Sequence, residues 1–140
     1  MAEKKTIMSK LEGGRAEFAY NCALEACEKN DKLKKDYRSY ARKIPQMIFT
    51  NGLGQAMAFV CSKKKSNKEK EDAYDLIYRQ ISSYMESPCV SGIQKPSGED
   101  LTGWVVSLNS YQYRYVEEEI LAFLNWLRRF AEGLIEEGEE

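Results

Sequence analysis

Side-chain chemistry is bounded first by which side chains are present, and this chain has no histidine among its 140 residues. That removes the commonest general base, the commonest transition-metal ligand and the usual activator of a serine or cysteine nucleophile. Cys22, Cys27, Cys61 and Cys89 show no CxxC spacing. Structural zinc draws its ligands as close pairs in tight loops, whereas Cys22 and Cys27 lie five apart in a helical pattern, so core packing is the expectation for all four. The carboxylates Glu117, Glu118 and Glu119, and those from Glu136 onward, belong to helical or terminal sequence without a pocket around them. They read as exposed surface, and no catalytic residue, metal or cofactor is expected.

Charge is the other chemistry in reach. The net charge is only -1, but residues 1–70 carry 16 Lys and Arg against 8 Asp and Glu, and residues 71–140 carry 5 against 14. Such asymmetry points to an electrostatic partner for one half. Within the basic half, Lys34, Arg38 and Arg42 recur every fourth residue with Lys35 beside them. On a helix this spaces cations about 6 Å apart, close to the phosphate spacing of a nucleic-acid strand. A second basic group, Lys63, Lys64, Lys65 and Lys68, lies in a polar connection without an apolar anchor. Both groups read either as a surface for an RNA backbone or as solvated faces of a helical protein.

Helical periodicity fills the elements that must carry these residues, and no stretch alternates as a strand, so the chain reads as one all-α domain, a compact bundle of five or six helices over residues 1–140. A first helix is expected over about residues 4–28, kinked at Gly13-Gly14, with Asn30-Asp31 as stop and cap. A second spans about 32–43 and ends at Pro45. The third, 45–62, is apolar nearly all round and reads as central and buried, with Gly52 and Gly54 admitting a close helix crossing. The fourth covers about 67–85 with Asn67 as its cap, a loop follows over 87–98, and a short helix capped by Ser97 covers 99–108. The last helix begins at Asn109 or Ser110 and repeats Val116, Ile120, Phe123, Leu124, Leu127, Ala131 and Leu134 on one face. Tyr111, Tyr113 and Tyr115 could stack on bases, but alternate residues on a helix do not share a face, so core or interface packing is the expectation for each. No apolar run reaches the length needed to span a bilayer and no signal peptide is apparent, so a cytoplasmic protein without membrane contact is expected.

Two stretches carry a resemblance. Tyr37-Arg38-Ser39-Tyr40-Ala41-Arg42-Lys43-Ile44-Pro45, followed by Ile48, Thr50-Asn51-Gly52-Leu53-Gly54-Gln55-Ala56 and Ala58-Phe59, resembles the central signature of the small all-helical subunit of type III-B (Cmr) CRISPR effector complexes. Glu119 through Ala131 is similar to that family's closing helix, with an acidic residue, an apolar run, Trp126 and the pair Arg128-Arg129 before Phe130-Ala131. The resemblance implies a non-catalytic structural subunit of a ribonucleoprotein in antiviral defence. Its partners would be the other complex subunits, especially the repeated backbone subunit, together with CRISPR RNA, target RNA and further copies of itself in a filament. A basic surface toward RNA is also implied, and Arg38, Arg42 and Lys43 lie within the matching motif.

Trp126, Arg128 and Arg129 are candidates for a protein interface, since Trp and Arg are enriched where interfaces are tightest, although Trp126 equally reads as a lid on the core. The charge asymmetry adds a further expectation: a basic end and an acidic end would let copies associate head to tail. The alternative function is a helical adaptor between proteins, without nucleic-acid contact.

Overall fold

The computed structural model describes residues 10–63 and 71–137, which hold six α-helices and one 3-10 turn. The turn, Leu11–Gly14, precedes α1 (Arg15–Cys27). The expected kinked helix does not form there. Glu12, Gly13 and Gly14 all have positive φ, at 52°, 70° and 95°, so the chain turns and the helix begins only at Arg15. After Asn30, whose side chain accepts from the Leu33 amide as expected of a cap, α2 (Asp31–Asn51) runs through Pro45 instead of stopping. A mid-helix proline forfeits one amide bond and crowds the preceding turn. Here the buried face Tyr37, Ala41, Ile44 and Ile48 continues on both sides of it and offsets that cost.

The break falls at Gly52, whose φ of 88° and ψ of 160° no L-residue adopts easily, and α3 (Leu53–Lys63) starts afresh. The expected single helix over 45–62 is therefore two, and it is not buried on all sides. Phe49 is 73% exposed and Ala58 faces solvent. α4 (Ala73–Glu86) is capped by a reciprocal pair, Asp72 and Asp75, and not by Asn67, which lies outside the described residues. α5 (Leu101–Ser107) is capped by Asp100 rather than Ser97. α6 (Ser110–Leu134) opens on a capping box of Asn109 and Gln112 and buries the predicted face through Ala131, after which Ile135 takes the buried position and Leu134 is left exposed. Of the cysteines, Cys22 is buried and Cys27 and Cys89 are half-buried, but Cys61 is exposed, because it faces away from the Val60 and Met57 side of α3.

α1 lies along α6, α2 crosses α6 and turns back on itself through α3, and α4 sits beneath α2. At the centre Tyr84 stacks on Phe123 at 4.5 Å, and Phe18 meets both rings edge-on. The buried hydroxyls are paired. Tyr37 donates to Gln80 at 2.5 Å, and Gln80 donates to the Cys22 carbonyl at 3.0 Å. Tyr84 donates to Glu119 while Arg15 donates to both of them, which joins α1, α4 and α6. Glu119 is thus an internal ligand and not the exposed carboxylate its triplet suggested. Among the described residues no helix is long and apolar enough to cross a membrane, and no group of metal-ligating side chains converges.

Candidate nucleic-acid interface

At about 100° per residue, the buried face of α2 centres near Tyr37 and Ile44, and the outward pole lies on the opposite side. Lys35, Ser39, Arg42 and Lys43 occupy that pole and are exposed. Lys34 and Arg38 fall nearer the edge of the buried face. Lys34 is half-buried, 3.5 Å from Asp31, and lines a groove with Cys27, Leu134, Ile135 and Glu136. Arg38 is half-buried, with a shielded Nε that has no hydrogen-bond acceptor. The stripe expected from spacing is therefore split by packing: Lys34 and Arg38 are half-buried, and the exposed cations are Lys35, Arg42 and, beside them, Lys43.

Tertiary structure adds a partner from another helix. Lys43 of α2 and Lys63 of α3 both lie over the Phe59 ring, at 5.2 and 5.4 Å from its centroid. Cation–π attraction holds two like charges on one aromatic ring. Lys64, Lys65 and Lys68 lie outside the described residues.

The return of α3 that makes this possible is fixed by α6. Leu53 is the first residue of α3, and its amide donates to the Glu117 carboxylate at 3.0 Å. The Gly54 amide donates to the Tyr113 hydroxyl at 2.7 Å. A helix start leaves such amides unpaired, and here Gly52 offers no side chain to cap them. A Cβ on Gly52 or Gly54 would meet that same hydroxyl at 3.4 Å, so the close crossing anticipated at these glycines is made by Tyr113.

On the opposite side of the bundle, Trp126 is half-buried and stacks on Phe130, which meets Tyr20 of α1 edge-on. Arg129 is exposed and lines a shallow groove with Glu12, Ala122, Asn125 and Trp126. A hydrogen bond from Trp126, then Arg15, holds the Glu12 carboxyl below its ordinary value. Arg128 is half-buried and 3.5 Å from Glu132. At one place the basic and acidic halves of the chain meet: Lys34 and Lys35 share a groove with Glu136.

Sequence reading missed Glu117, Tyr113 and Glu119, whose roles are contacts across the fold. It also missed Lys95, whose side chain is 1% exposed and whose ammonium bonds to Glu86 at 2.9 Å and to the carbonyls of Pro96 and Glu99. A lone lysine in a loop carries no signal of burial. Burial and the nearby Glu25 push the Cys22 thiol up to about 12, which leaves it protonated and inert near neutral pH.

With this geometry in hand, comparison with known proteins is informative. The profile of the CRISPR-associated protein family Cas_Cmr5 matches residues 11–134. The chain belongs to the Cmr5 family. A curated relative, the CRISPR system Cmr subunit Cmr5 of Thermus thermophilus, is 30% identical over 122 residues, covering 87% of this chain and 93% of the relative. The crystal structure of a CRISPR-associated Cmr5 family protein from Thermus thermophilus superimposes with a TM-score of 0.69 at 27% identity, over 89% of this chain and 96% of that one. The all-α architecture and the resemblance carried by residues 37–59 and 119–131 thus agree with Cmr5 membership. In this Cmr5 chain the signature Thr50 to Ala56 is the α2–α3 joint and its cap by α6, which explains why the motif holds glycines and no reactive group.

Proposed function

We propose that this chain is a non-catalytic subunit of a Cmr ribonucleoprotein in the cytoplasm, set in several copies beside the repeated backbone subunit and touching the guide and target RNA through the outward pole of α2. The observation that carries this reading is the convergence of Lys43 and Lys63 on Phe59, which extends the exposed Lys35 and Arg42 into one strip drawn from two helices. Lys64, Lys65 and Lys68 follow directly in sequence, and Lys34 and Arg38 stand at the strip's edge. A strip of exposed cations suits a phosphate backbone, and sequence is then read by base pairing with the guide. The Thermus relative's name, a Cmr subunit, supports the assignment to such a complex.

A protein contact on the far side is part of the same reading. Trp126, Phe130 and Tyr20 form an aromatic surface flanked by Arg129, with Arg128 alongside, and this is the proposed seat of a neighbouring subunit. That surface is also what favours the adaptor alternative. Self-association into a filament is proposed to use local faces rather than overall polarity, because Lys34, Lys35 and Glu136 meet at one groove.

The test uses the complex assembled with its partner subunits and guide RNA, and measures affinity for a complementary target RNA at several salt concentrations. Changing Lys35, Arg42 and Lys43 to Ala is expected to weaken every target alike and to flatten the salt slope by about two units, roughly 0.7 per lost phosphate contact. Unchanged affinity and slope in a complex that still assembles would leave the adaptor reading in its place.

A further inference from the structure

Where α2, α3 and α4 meet, a groove of about 350 Å³ is lined by Lys32, Asp36 and Tyr40 on one wall, Asp72, Ala73 and Tyr74 on the other, and Lys63 at its mouth. That volume lies at the lower end of small-ligand pockets, about 300–1,000 Å³. Lys32, Asp36 and Tyr40 are successive fourth residues, so they line one side of α2, away from the Lys34 and Arg38 edge. Tyr40 stacks on Tyr74 at 3.8 Å between ring centroids and 13° between planes, and Phe59 meets Tyr74 edge-on at 6.0 Å. The groove therefore has an aromatic stack, two carboxylates within it, and lysines on its rim.

We propose that this groove takes the base of one unpaired nucleotide, laid along the Tyr40–Tyr74 stack, with its phosphate held outside by Lys63 and its neighbour Lys43. The proposal rests on the RNA-contact reading and adds to it a contact with a base. The chemistry decides which part of a nucleotide enters. Asp36 and Asp72 repel a phosphate, but the Asp36 carboxylate accepts hydrogen bonds from an exocyclic amino group, whereas uracil offers only an N3–H set between two carbonyl oxygens that a carboxylate repels, so cytosine, adenine and guanine suit the groove better than uracil. Asp36 bonds Lys32 at 3.0 Å, and carboxylate oxygens each carry more than one lone pair, so that bond leaves acceptor capacity; Asp72 is engaged as the cap of α4, accepting from the Asp75 amide at 2.9 Å. Burial and the adjacent Tyr74 push the Tyr40 phenol up to about 12, which keeps the hydroxyl neutral beside an anionic strand. A base entering here ends on the strip formed by Lys43 and Lys63, because Phe59 touches both the stack and the two ammonium groups.

The experiment compares three single-stranded RNA decamers on the full chain at low salt by fluorescence anisotropy: cytidine only, uridine only, and abasic. The cytidine decamer is expected to bind about tenfold more tightly than the abasic one, the lower range for one base–aromatic stack, with uridine between them. Tyr40→Ala should remove that tenfold without changing abasic binding, and Tyr40→Phe should retain it. Equal binding of the cytidine and abasic decamers overturns the groove and spares the backbone reading. Failure of all three to bind the isolated chain also overturns the groove, and leaves the backbone reading to the separate measurement on the assembled complex. Photo-crosslinking the unaltered chain to a decamer with one 5-iodocytidine gives a check that needs no variant: the crosslinked peptide should contain Tyr40 or Tyr74, and crosslinks confined to other surfaces would refute the assignment.

Discussion

The α2–α3 joint offers the sharpest test of how this fold holds its basic strip together, because α3 begins without a cap of its own and borrows two from α6. Replacing Glu117 by Ala removes a carboxylate that accepts from the Leu53 amide at 3.0 Å. Hydrogen bonds to charged groups contribute roughly 1.5–3 kcal/mol, and a helix N-terminus adds about 0.3–1 kcal/mol in favour of an anion. Glu117 is half-buried, so water can recover part of the loss, and an overall cost of about 2 kcal/mol is expected. Glu117→Gln keeps an acceptor and should cost about half as much. Tyr113→Phe deletes the neutral bond to the Gly54 amide, 2.7 Å long, at about 1 kcal/mol. Once either cap is gone the first turn of α3 frays, so the second has less to hold. The double variant should fall short of the sum by about 0.5 kcal/mol or more. Urea unfolding with unchanged m-values measures all four variants, and hydrogen exchange at Leu53 and Gly54 reports the local opening. A cost below about 0.5 kcal/mol for Glu117→Ala, or strict additivity in the double variant, would refute the reasoning.

Two more outcomes follow from internal charges. Lys95→Met strips the ammonium that ties the 87–100 loop to the end of α4, leaving Glu86 and the Pro96 and Glu99 carbonyls without it. Glu86 can turn to water, so the cost should lie near 2–3 kcal/mol, below the 3–5 kcal/mol of a fully buried pair, and a midpoint shift too small to resolve in urea would contradict it. For Glu25, burial raises the carboxyl's value, but hydrogen bonds from Arg79 and Gln80 outweigh it and the net direction is down. A group lowered on folding adds stability above its unfolded value and loses it as pH falls through the folded one. Stability should therefore decline below about pH 4.5, less steeply in Glu25→Gln, and parallel urea midpoints from pH 6 to pH 3 for the two proteins would show that this pair adds nothing.

Much of the candidate strip was legible in the sequence because exposure of its cations depends on phase along one helix. The spacing of Lys34, Lys35, Arg38 and Arg42 put cations on the side of α2 away from its apolar residues, and Lys35 and Arg42 are exposed there. Phase could not say how wide the buried face is. That width depends on which helices flank α2, and Lys34, against the end of α6, and Arg38 are both half-buried. Lys43 and Lys63, twenty residues apart, meet only because Gly52 reverses the chain. Tyr40 and Tyr74 meet for the same kind of reason, across α2 and α4.

Local chemistry settled what local chemistry controls. The absent histidine, the helical periods, the Asn30 and Asn109 caps and the apolar seam of α6 are patterns of residues within a turn or two of one another, and such patterns are legible before any tertiary contact forms. The sequence by itself thus determined an all-helical protein with a basic helix and, through its packing motifs, its family. Tertiary structure alone decided which charges remain in water, that Pro45 is spanned while Gly52 is not, and that Glu117, Glu119 and Lys95 act as internal ligands. Each of those is a competition between desolvation and a partner supplied from elsewhere in the chain, and the partner's position is not encoded nearby.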